Sequence, residues 1–229
     1  MTFNHVKKYS EKLPDLDTIN IEGKRHYITP QNEIYPSVTT VLSGQNQEGI
    51  EQWRKEVGED VANTLMRLGA VRGNAFHKIG ENYLDNKDIS VYENKVLPMA
   101  LFNLAKPQLD RIDNIFAQEK TLYSKNYGIA GRVDCIAEFD GTLSVIDFKT
   151  STREKKSSWI ENYYLQETAY SLMWEEQTGI PAGQIVTIIA CEDGTVQTFI
   201  EQRDNFVTTL EDCIANYASL YGKIMVRKK

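Results

Sequence analysis

Two aspartates and a lysine, Asp134, Asp147 and Lys149, are the residues whose types and spacing can do chemistry. They lie in I-A-G-R-V-D-C-I-A-E-F-D-G-T-L-S-V-I-D-F-K-T-S, residues 129–151, which reads as two strands joined by Asp140-Gly141. An Asp-Gly pair between alternating apolar runs signals a hairpin, because a type I′ turn needs positive φ at both central residues. With a two-residue loop, Phe139 faces Thr142, Ile136 faces Val145, and Asp134 faces Asp147. Facing residues in antiparallel strands have Cβ atoms about 4.5–5.5 Å apart, and like charges placed there are destabilising. A divalent cation between them reverses that balance, and Mg2+ typically takes one or two carboxylates together with substrate phosphate. Lys149, two residues beyond Asp147, falls on the same strand face. There it can stabilise charge developing on a phosphate or help activate a water.

The elements around the hairpin must position these groups. In A-V-R-G-N-A-F-H-K-I-G-E-N-Y-L, Ala75, Phe76, Ile79 and Tyr83 recur at helical spacing. His77 and Glu81, four apart, are neighbours on one helix face. Alone, His77 reads more readily as a structural or surface histidine than as a ligand, and H-x-x-x-E is not the H-E-x-x-H zinc pattern. A helix over residues 35–43 is entered through Ser37, which either caps it or contacts a phosphate there. Further helices are predicted over 49–57 and 59–68, with Gly69 and Gly73 breaking the second or allowing close packing. Residues 93–118 predict two short helices or one kinked one, since Pro98 and Pro107 lack an N–H. A strand over 121–127 would lead into the hairpin.

After the hairpin comes a basic loop, T-S-T-R-E-K-K-S-S. Ser158 and Glu161 have the spacing of a capping box opening a helix that Gly179 and Pro181 stop. Trp159, Tyr163, Gln166, Tyr170 and Met173 share one face of it, an aromatic core stripe with an unexpected glutamine inside. A buried strand over 184–190, a hairpin at Asp193-Gly194 and a last helix over 204–220 complete the order. Residues 1–23 read as a polar, mobile lead, residues 25–29 as a short strand, and 223–229 as a basic tail. The predicted organisation is one domain, with an N-terminal extension (1–34), a mainly helical part (35–118) and a sheet core with flanking helices (119–229).

Composition narrows the function classes. The chain has 229 residues, 41% hydrophobic and 25% charged, as soluble globular domains do. No apolar run approaches the roughly 18 residues of a membrane span. The start resembles neither a signal nor a transit peptide, so a cytoplasmic protein is expected. Three widely spaced cysteines, Cys135, Cys191 and Cys213, argue for reduced thiols and against a cysteine-built metal cluster. A net charge of −6 means that nucleic-acid binding must rest on a local basic strip. Lys125, Arg132, Arg153, Lys155, Lys156, Arg67 and Arg72 are candidates, each equally explained as a solvated charge.

The order of these motifs, a histidine on a helix, D-x(12)-D-x-K on a hairpin, then Q-x-x-x-Y at Gln166 and Tyr170, resembles the PD-(D/E)XK nuclease superfamily in its RecB-like exonuclease branch. P-S-V-T at 36–39, W-R-K at 53–55, G-x-x-x-H at 73–77, V-D-C-I-A-E at 133–138 and V-I-D-F-K-T-S at 145–151 are similar to the mitochondrial genome maintenance exonucleases of that branch. Val133 stands where the superfamily name has a proline, a common departure in this branch. The resemblance implies an α/β, restriction-endonuclease-like core: a central mixed β-sheet flanked by α-helices, with extra N-terminal helices. It implies a Mg2+- or Mn2+-dependent exonuclease acting on single-stranded DNA with a free end, in DNA processing, replication or repair. By the same resemblance His77, Asp134, Asp147 and the Phe148 carbonyl would hold the metal. Lys149 would be the catalytic lysine, and Gln166 and Tyr170 would support the site or the DNA. Glu81 could orient His77 or simply be a surface partner. The lack of a presequence fits a bacterial or viral relative. An endonuclease on the same fold and a non-cleaving DNA-end-binding accessory protein are the alternatives.

Overall fold

The computed structural model describes residues 2–221, without the side chains of 45–48; the basic stretch 223–229 lies outside the described residues. A five-stranded sheet runs in the order β4-β5-β6-β7-β8, from β4 (Ile112–Ser124), β5 (Ile129–Phe139), β6 (Thr142–Ser151), β7 (Gln184–Cys191) and β8 (Val196–Gln202). It is mixed: β6 and β7 are parallel and the other neighbours antiparallel. A parallel pair needs a crossover, and α6 (Glu161–Thr178) supplies it. The Asp140-Gly141 turn has φ values of 50° and 79°, as a type I′ turn requires.

Helices cover both faces. On one, Val133, Ile136, Val145 and Ile185 pack with α6, α2 (Val38–Leu42) and α7 (Val207–Tyr221) through Leu165, Met173, Trp174, Val41 and Leu210. On the other, Cys135, Phe139, Ile146, Phe148 and Ile188 pack with α4 (Glu59–Leu84) and α5 (Val96–Leu109) through Phe76, Ile79, Leu101, Phe102 and Leu109. The three cysteines are buried. This mixed sheet between helices is the restriction-endonuclease-like core expected.

Several local expectations are corrected. The lead segment is anchored: Phe3, Leu13 and Leu16 are buried, and Asn86 bonds the Phe3 backbone at 2.7 and 3.0 Å. After α1 (Lys7–Ser10), strands β1 (Asp17–Ile21), β2 (Lys24–Ile28) and β3 (Ile34–Pro36) make a separate three-stranded sheet. Gly69 and Gly73 do not break α4, which runs unbroken for 26 residues after α3 (Gln47–Val57). Val61, Leu65 and Leu68 on its first half face solvent.

Residues 112–118 are strand, not helix. Two register shifts, at Asp113/Ile115 and Ile115/Ala117, break the period of two and imitate helical spacing. Pro98 falls in the first turn of α5, where its missing N–H is not needed, and Pro107 near the end. The predicted capping box does not form. Residues Ser157–Trp159 make a short 3-10 turn, Glu161 is the first residue of α6, and its N-cap, Ile160, has no side-chain cap. Trp159 is consequently exposed, beside Lys156, rather than on the core stripe.

Candidate active site

The β5–β6 ladder is paired from the turn as far as Cys135–Ile146 and no further. Beyond that point β5 stays on β4 and β6 stays on β7, so the sheet opens a notch between them. Asp134 and Asp147 are the next facing residues, at the mouth of the notch. There the Asp134 carboxylate replaces a backbone acceptor, its Oδ2 taking the Phe148 N–H at 3.1 Å. A side chain substituting for a ladder bond explains both the end of pairing and the orientation of the acid.

Asp147 is 1% exposed. Its Oδ1 accepts from Gln166 Nε2 at 3.3 Å. Its Oδ2 meets Lys149 Nζ as an ion pair, but without the angles of a hydrogen bond, so it retains acceptor capacity. Burial pushes the Asp147 carboxyl up; Lys149 opposes this, while Asp134 adds to it. For Lys149, burial favours loss of the proton, but Asp147 and Asp134 outweigh it and hold the ammonium charged. That ammonium also lies 5.1 Å from the Tyr163 ring centre, a favourable cation–π placement.

Helix α4 crosses the other face and brings in His77, whose Nδ1 is 3.3 Å from Asp134 Oδ2. The ring packs edge-on against Phe148, with centroids 6.4 Å apart. Burial lowers the His77 pKa against the pull of Asp134, which favours the neutral imidazole, the form that ligates a cation. Arg72, one of the candidate DNA contacts, is instead a strut: its Nε donates to Thr150 Oγ1 at 3.0 Å and its Nη1 pairs with Glu192. Glu81 pairs with Lys78 at 2.7 Å rather than with His77. Ser37 is buried and caps α2, accepting from the Thr40 N–H at 3.0 Å.

Helix α6 carries Gln166 and Tyr170 against the notch. Gln166 Nε2 donates to both Asp147 Oδ1 and the Tyr170 hydroxyl, each at 3.3 Å. The buried Tyr170 ring occupies a slot left by Gly131, where a Cβ would come 2.6 Å from Cε1. Gly131→Ala should therefore displace a ring that has nowhere to go, costing about 1–3 kcal/mol of stability. Through Gln166 it should also weaken cation binding by about tenfold. Melting curves and Mn2+ titration would check both, and an unchanged affinity would disconnect Gly131 from the site.

Two carboxyl groups near the notch escaped the sequence reading. Glu167 is fully buried on α6, with Thr187 donating to its Oε1 and burial raising its pKa well above the carboxylate range. Glu119 lies on β4 between the paired residues Gln118–Cys135 and Lys120–Val133, hence opposite Asp134. Its Oε2 is ion-paired with Arg132 Nε at 2.9 Å, and burial, with Asp134 next, raises its pKa to about 7. The irregular register of β4 hid it; continuing the hairpin count onto the preceding strand was the signal that could have found it.

The donors fit a hard divalent cation, since they are carboxylate oxygens, a neutral imidazole and a peptide carbonyl, with no thiolate among them. The acceptor capacity left on the buried Asp147 Oδ2 points the same way. His77, Glu119 and Asp134 each offer a ligand atom within 4.8 Å of the others. The surface cavities at Tyr35–Tyr217, Lys24–Tyr221, Lys12–Glu176 and His5–Lys120 are lined by none of His77, Asp134, Asp147 or Lys149. These four candidate residues gather instead at the open notch. Among the described residues no helix is long and apolar enough to cross a membrane.

Residues 52–221 match the PD-(D/E)XK nuclease superfamily. Over 181 residues, 72% of this chain, the sequence is 28% identical to mitochondrial genome maintenance exonuclease 1 of Homo sapiens, covering 52% of that protein. The chain thus spans about half the length of the curated relatives it matches. Among solved structures, SSO0001 aligns with 77% of this chain and 81% of its own at 15% identity and a TM-score of 0.36. The alkaline exonuclease LHK-Exo of Laribacter hongkongensis aligns with 58% and 69% at 10% identity and a TM-score of 0.30.

Proposed function

Because the chain belongs to the PD-(D/E)XK nuclease superfamily, we propose that it is a Mg2+- or Mn2+-dependent exonuclease hydrolysing single-stranded DNA from free ends, in DNA processing, replication or repair. One observation carries the reading: the sheet opens where Asp134 and Asp147 face each other, with Lys149 ion-paired inside the opening. The relatedness to an exonuclease supports action from ends.

In this reading Asp134, Asp147, His77 and the Phe148 carbonyl hold the cation. When bound, the cation would supply positive charge to phosphate oxygens and make water a better nucleophile. Lys149 points its ammonium at the same opening and stabilises negative charge developing on the scissile phosphate. Gln166, fixed by Tyr170, orients Asp147. Of the basic residues near the notch, Arg132 is 61% exposed at its side chain and free to meet the strand while still paired with Glu119. Arg72 is committed to Thr150 and Glu192 and holds α4 in place.

The test is degradation of end-labelled single-stranded DNA with Mg2+, Mn2+ or EDTA, on linear, 5′-blocked, 3′-blocked and circular substrates. Linear strands should be degraded with either metal and none in EDTA, and circles should survive. Cleavage of circles would make it an endonuclease, binding without turnover in any metal an accessory module, and persistence in EDTA would remove the metal scheme.

A further inference from the structure

The turn between β4 and β5 and helix α7 wall a cavity away from the notch. Its volume is about 350 Å3, and Tyr35, Val41, Tyr127, Ile129, Ile214 and Tyr217 line it. Ile129 opens β5, and Asp134 follows five residues later on the same strand. At about 3.4 Å per residue, that stretch of strand is roughly 17 Å long.

Polar groups at this cavity are left over. Tyr217 is 8% exposed, and its buried hydroxyl has no hydrogen-bond partner among the described residues. Leaving such a hydroxyl unpaired is costly, so a bound group that supplies the missing bond is favoured. The nearby acids are engaged: Glu211 accepts from the Tyr127 hydroxyl, and Glu176, in the adjoining cavity, from the Ser124 hydroxyl and the Lys125 N–H. The ammonium groups are not. Lys125 lines both cavities and Lys12 the adjoining one, and neither side chain has an ion pair or hydrogen bond among the described residues.

A nucleobase fits this set as an aliphatic side chain does not. Its faces stack on aromatic rings whatever the sequence. Its edge carries donors and acceptors, and a tyrosine hydroxyl can meet either. Its phosphates bring the negative charge that the two lysines lack. In a chain of net charge −6, strand binding needs such a local cationic patch. We propose that this cavity takes one unstacked base of the bound single strand, its edge on the Tyr217 hydroxyl and the flanking phosphates on Lys125 and Lys12. The strand is thereby gripped at a point away from the bond being cut. The inference rests on the nuclease reading above and adds a substrate contact outside the notch.

Initial rates on an oligothymidylate of about 12 nucleotides, within the reach of one single-strand-binding fold, test this beside a dinucleotide too short to reach from the notch. On the longer strand Ala218→Phe, which fills the cavity, should raise KM by about tenfold, the worth of one stacked base. Tyr217→Phe should raise it about threefold, the worth of one hydrogen bond. It should melt no lower than the wild type, because only an unpaired hydroxyl is lost. Lys125→Ala should flatten the slope of log affinity against log salt by about 0.7, one phosphate contact on a single strand. On the dinucleotide all three should match the wild type, as a general structural defect would not allow. An unchanged KM on the longer strand in both Ala218→Phe and Tyr217→Phe overturns the proposal, and so does an equal loss on the two substrates. Thymidine monophosphate that binds the wild type but not Ala218→Phe, with the KM for the strand unchanged, gives the cavity to free nucleotide and overturns it too. A wild type that degrades no single strand with Mg2+ or Mn2+ instead overturns the nuclease reading itself.

Discussion

Lys149→Ala should slow phosphodiester hydrolysis by about 1,000-fold, the size of effect seen when one preorganised electrostatic donor is lost. The ammonium is 19% exposed at its side chain, ion-paired with a carboxylate that is itself buried, and steadied by Tyr163. Its charge is therefore fixed in direction before substrate arrives. The same substitution strands Asp147 as a buried, unpaired carboxylate, which should destabilise the metal-free protein by about 3–5 kcal/mol. A bound cation can replace the missing positive charge, so metal should recover much of that stability without recovering the rate. Single-turnover kinetics at saturating metal, beside melting curves with and without it, separate the two effects. A rate within tenfold of wild type would remove Lys149 from the chemistry.

Asp134→Asn should be as damaging to activity, with the opposite sign on stability. Asp134 touches His77, accepts the Phe148 N–H, and stands between Glu119 and Asp147. The cation is worth several kcal/mol of charge stabilisation, and at 1.36 kcal/mol per factor of ten its loss means a rate lower by about 1,000-fold or more. Asparagine can still accept from Phe148 through its amide oxygen, so the end of the β5–β6 ladder survives. It also removes one member of a row of like charges that, without a cation, repel one another. The metal-free variant should thus be more stable by about 1 kcal/mol, a trade of stability against function. Mn2+ titration and metal-free unfolding in denaturant decide it. An unchanged Mn2+ affinity would show that the cation does not sit at Asp134.

The hairpin was legible because turn chemistry and period-two alternation are local. Asp140-Gly141 sets the loop length, the loop length sets the register, and the register puts Asp134 and Asp147 face to face. The placement of Lys149 beyond Asp147 and the pairing of Gln166 with Tyr170 four residues on follow from the same local periods. A resemblance carried by ordered motifs added His77. Even the correct stop of α6 at Gly179, with φ of 74°, is a short-range matter.

What only the tertiary structure decided depends on strands and helices far apart in sequence. That the sheet parts at the two acids follows from β5 holding to β4 and β6 to β7, an outcome of competing ladders that no single segment encodes. Bulges in β4 disguised a strand as a helix and concealed Glu119, because an extra residue shifts the phase on which pattern reading relies. Gly131 has meaning only once Tyr170, 39 residues later, is packed against it. The sequence by itself determined which groups could do the chemistry and the local geometry of the hairpin that carries two of them. Long-range packing decided how many other groups share their space, since burial and neighbouring charge are properties of the assembled layers.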